Sequence, residues 1–183
     1  MKKFLTILLL LTITLRGGKA MANEANWDKV FPKSDNVDIK KVTFKNRFGI
    51  ELVGDLYEPK NKPSGKLQAI AVSGPFGAVK EQSSGLYAQT MAERGFVTLA
   101  FDPSFTGESG GNVRNVASPD INTDDFSAAV DYLTTLPEID ENKIGIIGIC
   151  GWGGFALNAA AQDTRIIATV SSTIYDMTRV TSK

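Results

Sequence analysis

The chain has 183 residues, one cysteine and no histidine, and the cysteine stands within Lys143 to Ala161, "KIGIIGICGWGGFALNAAA". Five glycines separate an apolar run from an alanine-rich run in this stretch, and Gly148 and Gly151 flank Ile149 and Cys150. That order predicts a buried strand that turns sharply into a helix with Cys150 on the turn. Such a turn is strained, needs small neighbours, and leaves its side chain exposed above the sheet, which is the layout of a nucleophile elbow. A thiol at a helix N-terminus lies at the positive end of the dipole, and the thiolate is the attacking form. The chemistry implied is nucleophilic attack. One cysteine without histidine offers no soft metal site, and carboxylates alone suit only a hard cation.

Two other readings of the same stretch compete. A free cysteine often packs as a small hydrophobe, but packing alone requires no flanking glycines. Gly148, Gly151 and Gly153 also approximate a phosphate-binding loop. That loop should close the first strand of a fold and be followed by an acid about 20 residues on. Here the glycines come after five strand-like segments, and Asp163 falls at the end of the helical run, so no cofactor is expected.

The elements around the turn follow from residue patterning. Ile39 to Phe44 and Ile50 to Tyr57 alternate as strands and are joined by Asn46-Arg47-Phe48-Gly49, a hairpin. Leu67 to Ser73, Phe96 to Phe101, Ile144 to Ile149 and Ile166 to Val170 read as buried strands. Helices are expected over Ser83 to Arg94, Asn122 to Leu136 and Gly153 to Gln162. In the second, Asn122 or Thr123 is the expected cap, Asp124 and Asp125 complement the dipole, and Phe126, Ala129, Val130 and Leu133 form the apolar stripe. A leading hairpin followed by alternating strands and helices predicts an α/β fold. It is a three-layer α/β/α sandwich of about six strands, mostly parallel after an N-terminal antiparallel hairpin. Asp102, Gly107 and Ser109 read as turn residues, and Lys80 and Glu81 as solvated charges at a helix start.

Three segments in order carry a family resemblance: "SGPFGAVKEQ" (73–82) after the third strand, "FDPSFTGESGG" (101–111) after the fourth, and "GICGWGG" (148–154) after the fifth. The chain from Ile39 to Val180 resembles the α/β-hydrolases. The cysteine at the elbow is similar to the dienelactone hydrolase branch and to exported bacterial hydrolases. The resemblance implies Cys150 as nucleophile, with the backbone N–H groups of Gly151 and of the loop at Phe76 holding the oxyanion. It implies a carboxylic ester, lactone or similar small acyl substrate. Trp152 departs from the pattern, which wants a small residue there; an alignment shifted by one would put Gly151 at the nucleophile position and leave the elbow dead. The family also places an acid and a histidine after the nucleophile. The chain ends 33 residues beyond Cys150, so the expectation is a C-terminally truncated core whose acid and histidine lie past Lys183. Asp176, the late carboxylate near a strand end, serves equally well as that acid or as a helix cap.

The N-terminus reads as a leader. Lys2 and Lys3 precede the apolar run Phe4 to Leu15, and Ala20-Met21-Ala22 supplies small residues for cleavage after Ala22. The run is shorter than the ~20 residues that span a membrane, although an uncleaved anchor is the alternative. Residues 1–22 are thus the expected signal peptide, 23–36 an extended lead-in and 37–183 the core, in a periplasmic or secreted protein. The whole chain balances 20 basic and 20 acidic residues. Losing the leader's four bases leaves 16 against 20, a net charge of −4, which disfavours nucleic acid or an anionic membrane as partner. Two functions remain open: an acyl hydrolase missing its base, and a non-catalytic or degenerate hydrolase fold with a binding role or none.

Overall fold

A computed structural model describes residues 27–176 and residue 179. The expected signal peptide lies outside the described residues, and no described helix is long and apolar enough to cross a membrane. Residues 27–33 belong to a separate N-terminal unit, in which Trp27 meets the edge of Phe31 with ring centroids 5.9 Å apart.

The unit from Ser34 onward is built on one six-stranded sheet. Its strands are β1 (Val37–Lys45), β2 (Glu51–Pro59), β3 (Leu67–Ser73), β4 (Val97–Phe101), β5 (Ile139–Ile149) and β6 (Ile166–Ser172). They lie in the order β1-β2-β4-β3-β5-β6. β1 and β2 pair antiparallel through the expected hairpin, β2 is antiparallel to β4, and β4, β3, β5 and β6 run parallel. Three helices complete the layers: α1 (Ser83–Ala92), α2 (Pro119–Thr134) and α3 (Gly151–Gln162). This is the predicted three-layer α/β sandwich.

The two faces of the sheet differ in what covers them. On one, α2 and α3 bury Phe126, Val130, Leu133, Trp152 and Phe155 against Leu99, Phe101 and Ile146. Burying each large side chain there contributes about 1.5–3 kcal/mol. On the other, α1 presents small residues, Ala88 and Ala92, to Val72, Ile147 and Ile149. β6 is paired on one side only among the described residues, and its Ile167 and Val170 are more than half exposed.

Several sequence expectations fail, mostly at element starts, and α3 begins at Gly151, two residues before its expected start. α2 begins at Pro119 with Ser118 as its N-cap, four residues ahead of Asn122, the nearer of the two expected caps. Asn122, Thr123 and Asp125 are therefore buried inside the helix: Ser104 of the loop after β4 bonds Asp125, and Asn158 of α3 donates to the Thr123 hydroxyl. Lys80 is fully buried as well, not solvated. β5 also starts earlier than expected, at Ile139, since its first residues pair with Leu67 of β3.

Candidate active site

The end of β5 and the start of α3 form the sharp turn that the glycines imply. Cys150 is its crest, with φ 58° and ψ −121°. A non-glycine residue in such a backbone state costs on the order of 1–3 kcal/mol and is held there only by its surroundings. The surroundings are specific. The Cys150 N–H donates to the Ser172 carbonyl at 2.9 Å, and its own carbonyl accepts from Gly153 at 3.0 Å and Tyr175 at 3.2 Å. The turn is thus fastened to the end of β6. A Cβ at position 148 would lie 2.3 Å from the Trp152 carbonyl oxygen and 2.6 Å from the Ala156 Cβ, so only glycine lets α3 fold back this closely.

The Cys150 side chain is half-buried, at the margin of the smaller core beside Ile147, Ile149 and Ala88. Its sulfur makes no hydrogen bond among the described residues. Gly151 opens α3, where a first-turn N–H has no partner within the helix. The loop carrying Phe76 packs directly on the turn: a Cβ at Gly74 would lie 2.5 Å from the Ile149 carbonyl oxygen and 2.8 Å from the Trp152 Cβ. The Phe76 ring, 47% exposed, lies 5.7 Å from the Trp152 ring. The Phe76 N–H, like that of Gly151, donates to no acceptor among the described residues. Cys150, Gly151 and the Phe76 loop therefore share one end of β3 and β5. Trp152 itself is almost wholly buried and packs edge-on against Phe155 at 5.4 Å, so it roofs the sheet. Its Nε1 and the Ser171 hydroxyl, both beneath the turn, are buried without a hydrogen-bond partner.

Asp176 falls on the capping side of its two readings, since its Oδ1 accepts the N–H of Arg179 at 3.0 Å. No group of three or more Cys, Asp or Glu among the described residues is arranged to hold a metal ion.

Sequence reasoning missed the charged cluster behind the Phe76 loop. Lys80 Nζ reaches Asp102 Oδ2 at 3.0 Å, Glu81 at 2.6 Å and Glu108 at 2.5 Å, and Lys41 adds a second cation to Glu108 at 2.7 Å. The Asp102 carboxylate also accepts the N–H groups of Lys80 at 2.7 Å and Glu108 at 2.9 Å. Burial alone would push the Lys80 ammonium down, but Glu108, Glu81 and Asp102 together hold it above its ordinary value. Burial pushes the Asp102 carboxyl up, against the pull of both N–H groups and of Lys80. Lys41 and Lys80 draw Glu108 down to about 2. A second buried carboxylate, Asp125, binds Ser104 N–H at 2.8 Å, Asn46 at 2.9 Å and Asn122 at 3.0 Å, while burial pushes its carboxyl up. A signal for the first cluster existed. β3 and β4 are parallel neighbours, so the loops after them, carrying Lys80 and Asp102, must meet.

The comparisons with known proteins agree with this architecture. Residues 49–180 match the family model described as X-Pro dipeptidyl-peptidase (S15 family). The uncharacterized protein PA2218 of Pseudomonas aeruginosa is 71% identical over 86% of this chain, which covers 42% of that relative. Its crystal structure superposes with a TM-score of 0.84 over 86% of this chain and 49% of the other. The uncharacterized protein YcjY of Escherichia coli is 49% identical over 72% of this chain and 45% of its own length. A protein named thiohydrolase from Eupenicillium brefeldianum is 32% identical over 69% of this chain and 40% of its own. The chain thus spans less than half the length of these relatives. With most of the sandwich inside the matched segment, the chain belongs to the X-Pro dipeptidyl-peptidase (S15) family, within the α/β-hydrolases.

Proposed function

We propose that this chain carries the nucleophilic half of an acyl hydrolase, with Cys150 attacking the carbonyl carbon of an ester, lactone or thioester. The observation behind the reading is the strained, half-exposed thiol at a strand-to-helix turn. The N–H groups of Gly151 and Phe76 would receive the negative charge that develops on the carbonyl oxygen. The name thiohydrolase borne by one relative adds thioesters to the substrate class. The branch within the superfamily rests on the cysteine, which likens the elbow to that of dienelactone hydrolases. Export to the periplasm or beyond remains part of this proposal, on the layout of residues 1–22.

The sequence has no histidine, so no imidazole in it activates water for deacylation. The chain should therefore acylate once and stop. Mixed with a p-nitrophenyl ester, it should release about one p-nitrophenolate per molecule and gain one acyl mass at Cys150, and Cys150→Ala should do neither. No mass gain at Cys150 would return the chain to the second reading, a non-catalytic hydrolase fold.

A further inference from the structure

The surroundings of Cys150 hold more apolar surface than a thiol needs. Four large side chains lie exposed there: Phe76 at 47%, Tyr87 at 38%, Ile174 at 54% and Tyr175 at 49%. Each is tied to the turn by a separate contact. Phe76 rests against Trp152, two residues past the cysteine. The Tyr87 hydroxyl meets the Ser172 hydroxyl at 3.0 Å, and the Ser172 carbonyl holds the Cys150 N–H. The Ile174 side chain lies within 3.4 Å of where a Cβ at Gly153 would stand, and the Tyr175 N–H donates to the Cys150 carbonyl. These groups come from three different parts of the chain, the β3 loop, α1 and the segment after β6, and each meets the turn or the strand end that fastens it at a different residue, Trp152, Ser172, Gly153 and Cys150.

The charges nearby face elsewhere. Lys80 is buried against Asp102, Glu81 and Glu108, and the Asp176 carboxylate takes the Arg179 N–H. None of the four rim residues is charged. An ammonium or carboxylate brought onto this rim would lose water without gaining a partner there, and that is costly. Clustered exposed apolar surface on a soluble protein marks a binding site.

We propose that the acyl group taken by Cys150 is uncharged and apolar, an alkyl or aryl chain lying on the rim of Phe76, Tyr87, Ile174 and Tyr175. This inference rests on the reading of Cys150 as nucleophile. The thiolate attacks the ester carbonyl and forms a C–S bond. The C–O bond to the leaving phenolate then breaks with its electron pair, and the thiol proton passes to solvent. Binding on the rim lowers the barrier to this step in proportion to the methylenes withdrawn from water.

The test compares single-turnover acylation of the chain by p-nitrophenyl acetate, p-nitrophenyl hexanoate and mono-p-nitrophenyl succinate, whose free carboxylate carries one negative charge. Each rate is divided by that of a small free thiol to remove intrinsic reactivity. With the added methylenes half-buried, hexanoyl should exceed acetyl by about tenfold, and succinyl should be slowest. Tyr87→Ser should lower the hexanoyl-to-acetyl ratio severalfold, whereas Tyr87→Phe, which keeps the ring and loses the Ser172 contact, should retain it. A ratio near one, a succinyl rate above hexanoyl, or equal losses in the two Tyr87 variants would overturn the apolar rim while leaving an acylated Cys150 in place. Failure of all three esters to label Cys150 would overturn the nucleophile and the rim together.

Discussion

Two loops at the same end of the sheet solve opposite problems. The turn at 148–153 is built from glycines and apolar groups, holds a strained cysteine, and has beneath it two buried polar atoms without partners, Trp152 Nε1 and Ser171 Oγ. The loop at 102–111 is polar, and no side chain within it has a buried unpaired atom among the described residues. Both depend on a glycine: a Cβ at 148 would strike the Trp152 carbonyl, and one at Gly107 would come within 2.2 Å of the Asp102 carboxylate. Unspent hydrogen-bonding capacity and backbone strain persist only where the rest of the fold over-determines them. Positive φ occurs in both loops, at Phe105 (φ 73°) and at Cys150 (φ 58°), but the unpaired buried atoms lie only beneath the cysteine of the two, and the polar loop spends its capacity on hydrogen bonds. One loop holds shape; the other carries the proposed nucleophile.

If that division is right, the largest stability loss should come from the polar loop. Asp102→Ala removes the acceptor of two backbone N–H groups and one partner of the buried Lys80. Breaking such a buried pair costs about 3–5 kcal/mol, read as a shift in the urea midpoint. A loss below about 1 kcal/mol, the worth of an exposed pair, would mean that water reaches the cluster and that the loop is not the rigid member. The next effect belongs to the elbow. Gly148→Ala forces a methyl group against backbone that cannot move aside, with an expected cost of about 3 kcal/mol. Because α3 must then shift, the Cys150 acylation rate measured on the folded protein should fall as well. Loss of stability with an unchanged rate would separate the turn from its chemistry.

The same contrast explains what could be read from the residues alone. The elbow was legible because it is local: Gly-x-Cys-Gly between an apolar run and an alanine-rich run admits few backbones. The sandwich followed from strand and helix periodicity, and Leu67–Ser73 emerged with the expected bounds. The polar loop was not legible, because its partners are far apart in sequence. Asp102 lies 22 residues from Lys80, and Asn46 lies 79 from Asp125. Lys80 read as a solvated charge because its type is rarely buried, and only parallel pairing of β3 with β4 brings the Asp102 carboxylate within its reach; Asp125 read as a helix-dipole residue, and its donors Asn46 and Ser104 come from other elements. Tyr87 was placed on its helix by spacing, but its contact with Ser172 depends on the β6 position, which no local pattern encodes. Long-range polar contacts are where patterning by type fails.

The smallest effect isolates the charge in the polar loop. The Glu108 carboxyl, bound first by Lys41 and then by Lys80, is drawn from 4.5 down to about 2 in the folded chain. A depressed folded value means that the unfolded chain takes up its proton at a higher pH. The stabilisation is therefore complete above about 4.5 and disappears as pH falls toward 2. Half of the Glu108 side chain is exposed, so solvent screening limits the effect to about 1 kcal/mol or less. Glu108→Gln cannot titrate, and urea unfolding should find it weaker than the parent by that amount near pH 6 and equal to it near pH 2. Asp102 and Asp125, whose carboxyls burial pushes up, act in the opposite sense, but they are present in both proteins and cancel from the difference. The elbow supplies no carboxylate to this difference either. A gap that stayed constant with pH would show that Glu108 acts through packing rather than charge, and the polar loop would then owe its rigidity to the Asp102 hydrogen bonds alone.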